Sequence, residues 1–192
     1  MKPVRSFLFL VPLVLLASGC ANTRAAHLRA DVRTFQREQS AEKLTARGRA
    51  FAQLGDTTRA REYFDAALEA GGDERELVPL LLSVCVRDGR FRLAVDYARR
   101  FVVEHPDDGR MRFVLGTLYA ALGEAATAKE QLVLALEANP KNADAQYALA
   151  VLLRDQHSDP VQADVHFRAY LRLLPNGEHA AEAQGSLIEK VP

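Results

Sequence analysis

The sequence predicts an all-α fold, a superhelix of helical hairpins stacked one on the next, and three observations carry that prediction. Gly55, Gly89 and Gly123 stand 34 residues apart. Ala60, Ala94, Ala128 and Ala163 follow at intervals of 34, 34 and 35, and Pro106, Pro140 and Pro175 repeat that spacing. A period of this length marks one supersecondary hairpin per unit, which cannot bury its apolar face alone and must stack on its neighbours. With Ala41 as the first position, the units run 41–74, 75–108, 109–142 and 143–177, the last holding one extra residue.

Ahead of the units, Lys2 and Arg5 precede an apolar run from Phe7 to Ala17 interrupted only by Pro12. Eleven residues fall short of the ~20 a bilayer-spanning helix needs, so residues 1–19 read as a secretory signal. The run ends in Leu16-Ala17-Ser18-Gly19-Cys20, which resembles a bacterial lipobox. That resemblance implies cleavage before Cys20 and acylation of its sulfur and amine, and Ala21 in place of Asp implies the outer membrane, facing the periplasm. Two acyl chains already anchor stably, so the three implied would hold the protein durably. An ordinary signal peptide with an incidental cysteine, or an uncleaved anchor, is the alternative. In the tether, 20–40, Ala25, Leu28, Val32 and Phe35 recur at helical spacing while Arg29, Arg33 and Arg37 line another stripe. Such a helix either covers the open face of the first unit or rests on anionic headgroups.

Within each unit two helical stripes are legible. Arg112, Leu115, Gly116 and Tyr119 in the third unit, and Leu149, Ala150 and Leu153 in the fourth, share one face of a first helix. Ala60, Phe64, Ala67 and Leu68, and likewise Ala128, Leu132, Ala135 and Leu136, mark a second helix. The glycine between them suits the left-handed turn that ends a helix, and the closing proline stops the next one. Gly48, Gly116, Ala60 and Ala128 let the two helices approach closely. Unit two departs from this plan: Leu82 and Cys85 replace a small residue and an aromatic, and the sizes at Ala98 and Phe101 are reversed, which reads as local repacking. Pro79 is comfortable only in a first turn, so that helix is expected to start near Val78 or to be kinked. In the fourth unit Asp159-Pro160 reads as an N-cap followed by proline, placing the insertion in the turn. Residues 178–192, with Ala181, Ala183, Leu187 and Ile188 on one stripe, are expected to form a capping helix.

The third unit, Leu115-Gly116, Tyr119, Gly123, Ala128, Ala135 and Pro140, resembles the tetratricopeptide repeat (TPR), and the first supplies Gly48, Phe51, Gly55, Ala60, Phe64 and Ala67. The likeness covers residues 41–177 and, with the lipobox, is that of a bacterial TPR lipoprotein. It implies a concave side lined by the first helix of each unit. The positions it assigns there are Arg49 and Gln53; Ser83 and Arg87; Arg110, Phe113 and Thr117; and Asp144, Tyr147, Val151 and Arg154. Phe113 and Tyr147 would hold apolar side chains of a peptide, with the arginines meeting its carboxylates, or would pack between units. The family's carboxylate-gripping Lys and Asn positions hold Thr45 and Arg49, Pro79 and Ser83, Phe113 and Thr117, and Tyr147 and Val151, so chaperone docking is not supported.

The expected function is therefore a lipid-anchored scaffold for envelope protein partners, with no catalytic residue, cofactor, metal or small-molecule substrate. Assembly of a type IV pilus secretin, regulation of cell-wall hydrolases, and a soluble periplasmic TPR protein are the alternatives. Basic and acidic residues balance at 25 each, and loss of Lys2 and Arg5 leaves about −2, which argues against nucleic acid. His157 and His166 with Asp155, Asp159 and Asp164 lack metal-ligand spacing, and His27, His105 and His179 read as solvated or capping. Ser83 has no apparent His partner, and no nucleophile elbow or phosphate loop is present. With Cys20 lipidated, Cys85 stands alone on an apolar stripe as inert packing.

Overall fold

The computed structural model describes residues 40–188 apart from His157. The signal, Cys20, the tether up to residue 39, and residues 189–192 lie outside the described residues. Four hairpins follow in chain order: α1 (Ala41–Gln53) with α2 (Thr57–Glu69), α3 (Glu74–Arg87) with α4 (Phe91–Glu104), α5 (Gly109–Ala121) with α6 (Ala125–Ala138), and α7 (Ala143–Asp155) with α8 (Pro160–Leu173). A short α9 (Ala180–Gly185) closes the array. Each helix packs on the next in sequence, and no strand occurs among the described residues.

The helix ends have local causes. Ser40, Asp56, Asp73, Asp108, Asn142 and Asp159 each stand at an N-cap, where the side chain accepts a hydrogen bond from a backbone N–H two or three residues on. Gly55, Gly89 and Gly123 turn the chain between paired helices with φ of 80°, 70° and 77°. In the fourth hairpin Ser158 takes the left-handed conformation instead, at φ 50°, followed by Asp159 as N-cap and Pro160 in the first helical turn. The extra residue of this unit is thus absorbed in the turn.

Two expected helix bounds are corrected. The helix carrying Pro79 begins at Glu74, not near Val78, because the Asp73 carboxylate caps it by accepting from the Arg75 N–H at 2.9 Å. Pro79 then sits in the second turn, where it has no N–H to offer the Arg75 carbonyl. The capping helix is also shorter than 178–192. It ends at Gly185, where the Ser186 hydroxyl bonds back to the Glu182 carbonyl at 2.9 Å, and the Ile188 N–H donates to Asp164 Oδ1 at 2.8 Å.

Small residues set the hairpin geometry. A Cβ added at Gly48 would fall 2.5 Å from the Phe64 ring, and one at Gly116 2.8 Å from Leu132. Each glycine therefore receives the large side chain of the partner helix. In the second hairpin the sizes are exchanged: Leu82 stands at the glycine position and Ala98 opposite it, both buried. Phe101, also buried, occupies the place that Ala67 and Ala135 hold in the first and third hairpins. The reversal keeps the core filled, but α3 and α4 approach less closely than the helices of the other hairpins. Cys85 is buried here as a free thiol, and burial pushes its pKa up.

Candidate functional site

The first helices of the hairpins, α1, α3, α5 and α7, share one side of the array, and the sequence-assigned groove residues are distributed along it. Cavities open there between α1 and α3, α3 and α5, and α5 and α7, and two of them hold most of the assigned residues. The first, of about 500 Å³, lies between α3 and α5, with Ser83, Arg87 and Arg110 at its edge. The second, of about 520 Å³, lies between α5 and α7 and brings Phe113, Thr117 and Tyr147 together with Asp144 and Val151. Arg49 lines the cavity between α1 and α3, its guanidinium paired with Glu76 of the next unit at 2.8 Å, and Gln53 is exposed at the end of α1.

The wall of the second cavity is bound up with the cap. Tyr147 stacks on His179, with ring centroids 4.0 Å apart and planes 6° from parallel, and its hydroxyl donates to Glu182 at 2.5 Å. Burial, and then the bond to that carboxylate, push the Tyr147 pKa up to about 12. Arg154 donates to Glu182 at 3.1 Å, to Asp155 at 2.6 Å and to the Ser186 hydroxyl at 2.7 Å. Hydrogen bonds from Tyr147 and Arg154 hold the Glu182 carboxyl below its usual range. Tyr147 and Arg154 thus fasten the cap, and Tyr147 lines the cavity together with Phe113.

The first cavity contains residues that sequence reasoning did not assign: Pro79, Leu82 and Val86 from α3, Phe101 from α4, and Met111 and Val114 from α5. Phe101, the large residue of the reversed hairpin, reaches into it from α4. α5 and α7 touch along the shared side, whereas α3 and α5, like α1 and α3, approach less closely. The sequence signal was Phe101 itself, at the position where the first and third units hold Ala67 and Ala135.

His166 Nδ1–H donates to Gln146 Oε1 at 2.7 Å, and burial lowers the His166 pKa. His157 lies outside the described residues. Among the described residues no group of three or more His, Cys, Asp or Glu converges on a point, and no helix is long and apolar enough to cross a membrane.

A sequence model of the tetratricopeptide repeat matches residues 25–76, 86–134 and 114–178. No curated protein matches the chain. Among solved structures, YrrB, titled a TPR protein with an unusual peptide-binding site, is 23% identical with a TM-score of 0.66, covering 83% of this chain and 88% of its own. A tetratricopeptide repeat protein from Parabacteroides merdae ATCC 43184 is 22% identical with a TM-score of 0.68, covering 77% of this chain and 59% of its own. MamA from Desulfovibrio magneticus RS-1 is 20% identical with a TM-score of 0.64, covering 85% of this chain and 99% of its own. At these identities the likeness concerns the fold.

Proposed function

The chain belongs to the tetratricopeptide repeat family, whose members are generally non-enzymatic scaffolds for protein–protein interaction, and from that premise we propose a lipid-anchored scaffold in envelope complex assembly. On this reading Cys20 carries acyl chains that hold the protein in the outer membrane, facing the periplasm, and the side lined by α1, α3, α5 and α7 receives a helical or extended segment of an envelope protein. The observation that supports recognition is the pair of cavities flanking α5 on that side, whose apolar lining hairpin packing leaves unfilled. The anchor is supported by Leu16-Ala17-Ser18-Gly19-Cys20 after a short apolar run.

Metabolic labelling with a palmitate analogue tests the anchor. The wild-type chain should take up label and sediment with outer membranes, and Cys20→Ser should lose both properties. Label retained by Cys20→Ser, or a wild-type chain that is unlabelled and soluble after lysis, would contradict the reading.

A further inference from the structure

We propose that the cavity between α3 and α5 is a binding site for a protein segment in which large apolar side chains are flanked by carboxylates. This rests on the scaffold reading and names the chemistry of the partner.

The interior of the cavity is apolar, formed by Pro79, Leu82, Val86, Phe101, Met111 and Val114. Its volume of about 500 Å³ falls within the range of ligand-binding clefts. The exposed ring of Pro79 belongs to it because α3 begins at Glu74 and carries the proline into the second turn on the open side. The rim is cationic. Arg75, Arg87 and Arg110 surround the opening, with Asp108 the one acid among the lining residues.

That acid is already engaged. Its carboxylate caps α5 by accepting from the Met111 N–H at 2.9 Å and lies 3.9 Å from the Arg75 guanidinium. Arg87 spends one Nη1 donor on the Ala52 carbonyl at 3.0 Å, which fixes its side chain and leaves other donors of the fork unassigned. Arg110 is exposed and makes no hydrogen bond or ion pair among the described residues. An occupant must therefore bring apolar bulk for the interior and negative charge for the rim, where guanidinium groups bind carboxylates with paired donors.

Charge also opposes the chain's own tether as the occupant. Residues 20–39 carry Arg24, Arg29, Arg33 and Arg37 against Asp31 and Glu38, the same sign as the rim.

The test uses the full chain purified from membranes in phosphatidylcholine nanodiscs, or in buffer if it proves soluble. The probe is a fluorescein-labelled nonapeptide with central Leu-Phe flanked by glutamates, read by anisotropy. The glutamate peptide should bind, and its lysine counterpart should not. Ser83→Trp, which plugs the opening from an exposed position, and Arg110→Glu should each weaken binding about tenfold or more while circular dichroism and thermal midpoint stay at wild-type values. Arg87→Glu with Arg110→Glu should transfer binding to the lysine peptide. Equal binding of the two peptides, wild-type affinity in folded Ser83→Trp, or absence of glutamate-peptide binding would overturn the proposal. Displacement of the peptide by phosphatidylglycerol nanodiscs but not by phosphatidylcholine ones would assign the site to lipid and overturn it as well. A chain that is palmitate-labelled yet fails to bind the peptide sinks this inference alone, and one that binds it without label sinks the anchor alone.

Discussion

At the residue scale, the array depends on glycines of two physical kinds. Gly116 is a contact glycine: a Cβ there would lie 2.8 Å from Leu132 Cγ and 3.2 Å from the Ala128 carbonyl oxygen. Gly123 is a turn glycine, with φ 77° and nothing within 4 Å of an added Cβ. Gly116→Ala gains up to ~1 kcal/mol in helix propensity but overpacks the hairpin at a cost of ~1–3 kcal/mol, so a net loss is expected. Gly123→Ala should lose ~1–2 kcal/mol through the left-handed backbone alone. Thermal unfolding should show each midpoint fall by about 2–4 °C per kcal/mol, whereas Gly185→Ala, with neither contact nor positive φ, should not lower it. Both kinds of glycine were legible in the sequence, because a 34-residue period displays them in register. The place of Leu82 and Phe101 in a cavity wall was not, since sequence shows that volume is exchanged between helices but not which surface the exchanged residues line.

At the scale of elements, α9 is held by charge and hydrogen bonds as much as by apolar contact. Asp164, buried within α8, pairs with Arg168 at 2.7 Å and accepts from the Ile188 N–H at 2.8 Å. Those bonds, the Arg168 one first, hold its carboxyl below the usual value of about 3.9. Since the folded pKa is lowered, the stability it contributes is complete above about pH 3.9 and is lost as pH falls through the folded pKa. An NMR titration of the Ile188 amide should thus show a midpoint below 3.9, with the cap loosening beneath it. A midpoint at or above 3.9 would contradict the contact. The existence of this element was readable from Ala181 and Ala183, but its length was not, since Leu187 and Ile188 of the same stripe fall beyond its end. Tyr147, Arg154 and Glu182 meet across 28–35 residues, a separation that no local pattern encodes. For the same reason the sequence left Tyr147 open between groove and inter-unit packing, whereas it both lines the cavity and bonds to the cap.

At the scale of the whole molecule, stacking leaves one side of the array to recognition. Hairpin cores absorb the large side chains of the second helices, such as Phe64, Leu132 and Phe167, while the first helices keep Ser83, Arg110 and Phe113 toward the open side. Repeat order, turn positions and this division of faces were legible because each is periodic. The cavity between α3 and α5 was hidden because its lining, with Pro79, Phe101 and Met111, comes from three helices that share no local pattern. The most direct measurement is site-specific photocrosslinking in intact envelopes, with benzoylphenylalanine placed at Ser83 or Phe113 and, for comparison, at exposed Arg99 of α4 or Glu130 of α6. A defined protein adduct from Ser83 and Phe113 but not from Arg99 or Glu130 is the predicted result, and adducts confined to Arg99 and Glu130 would contradict the account.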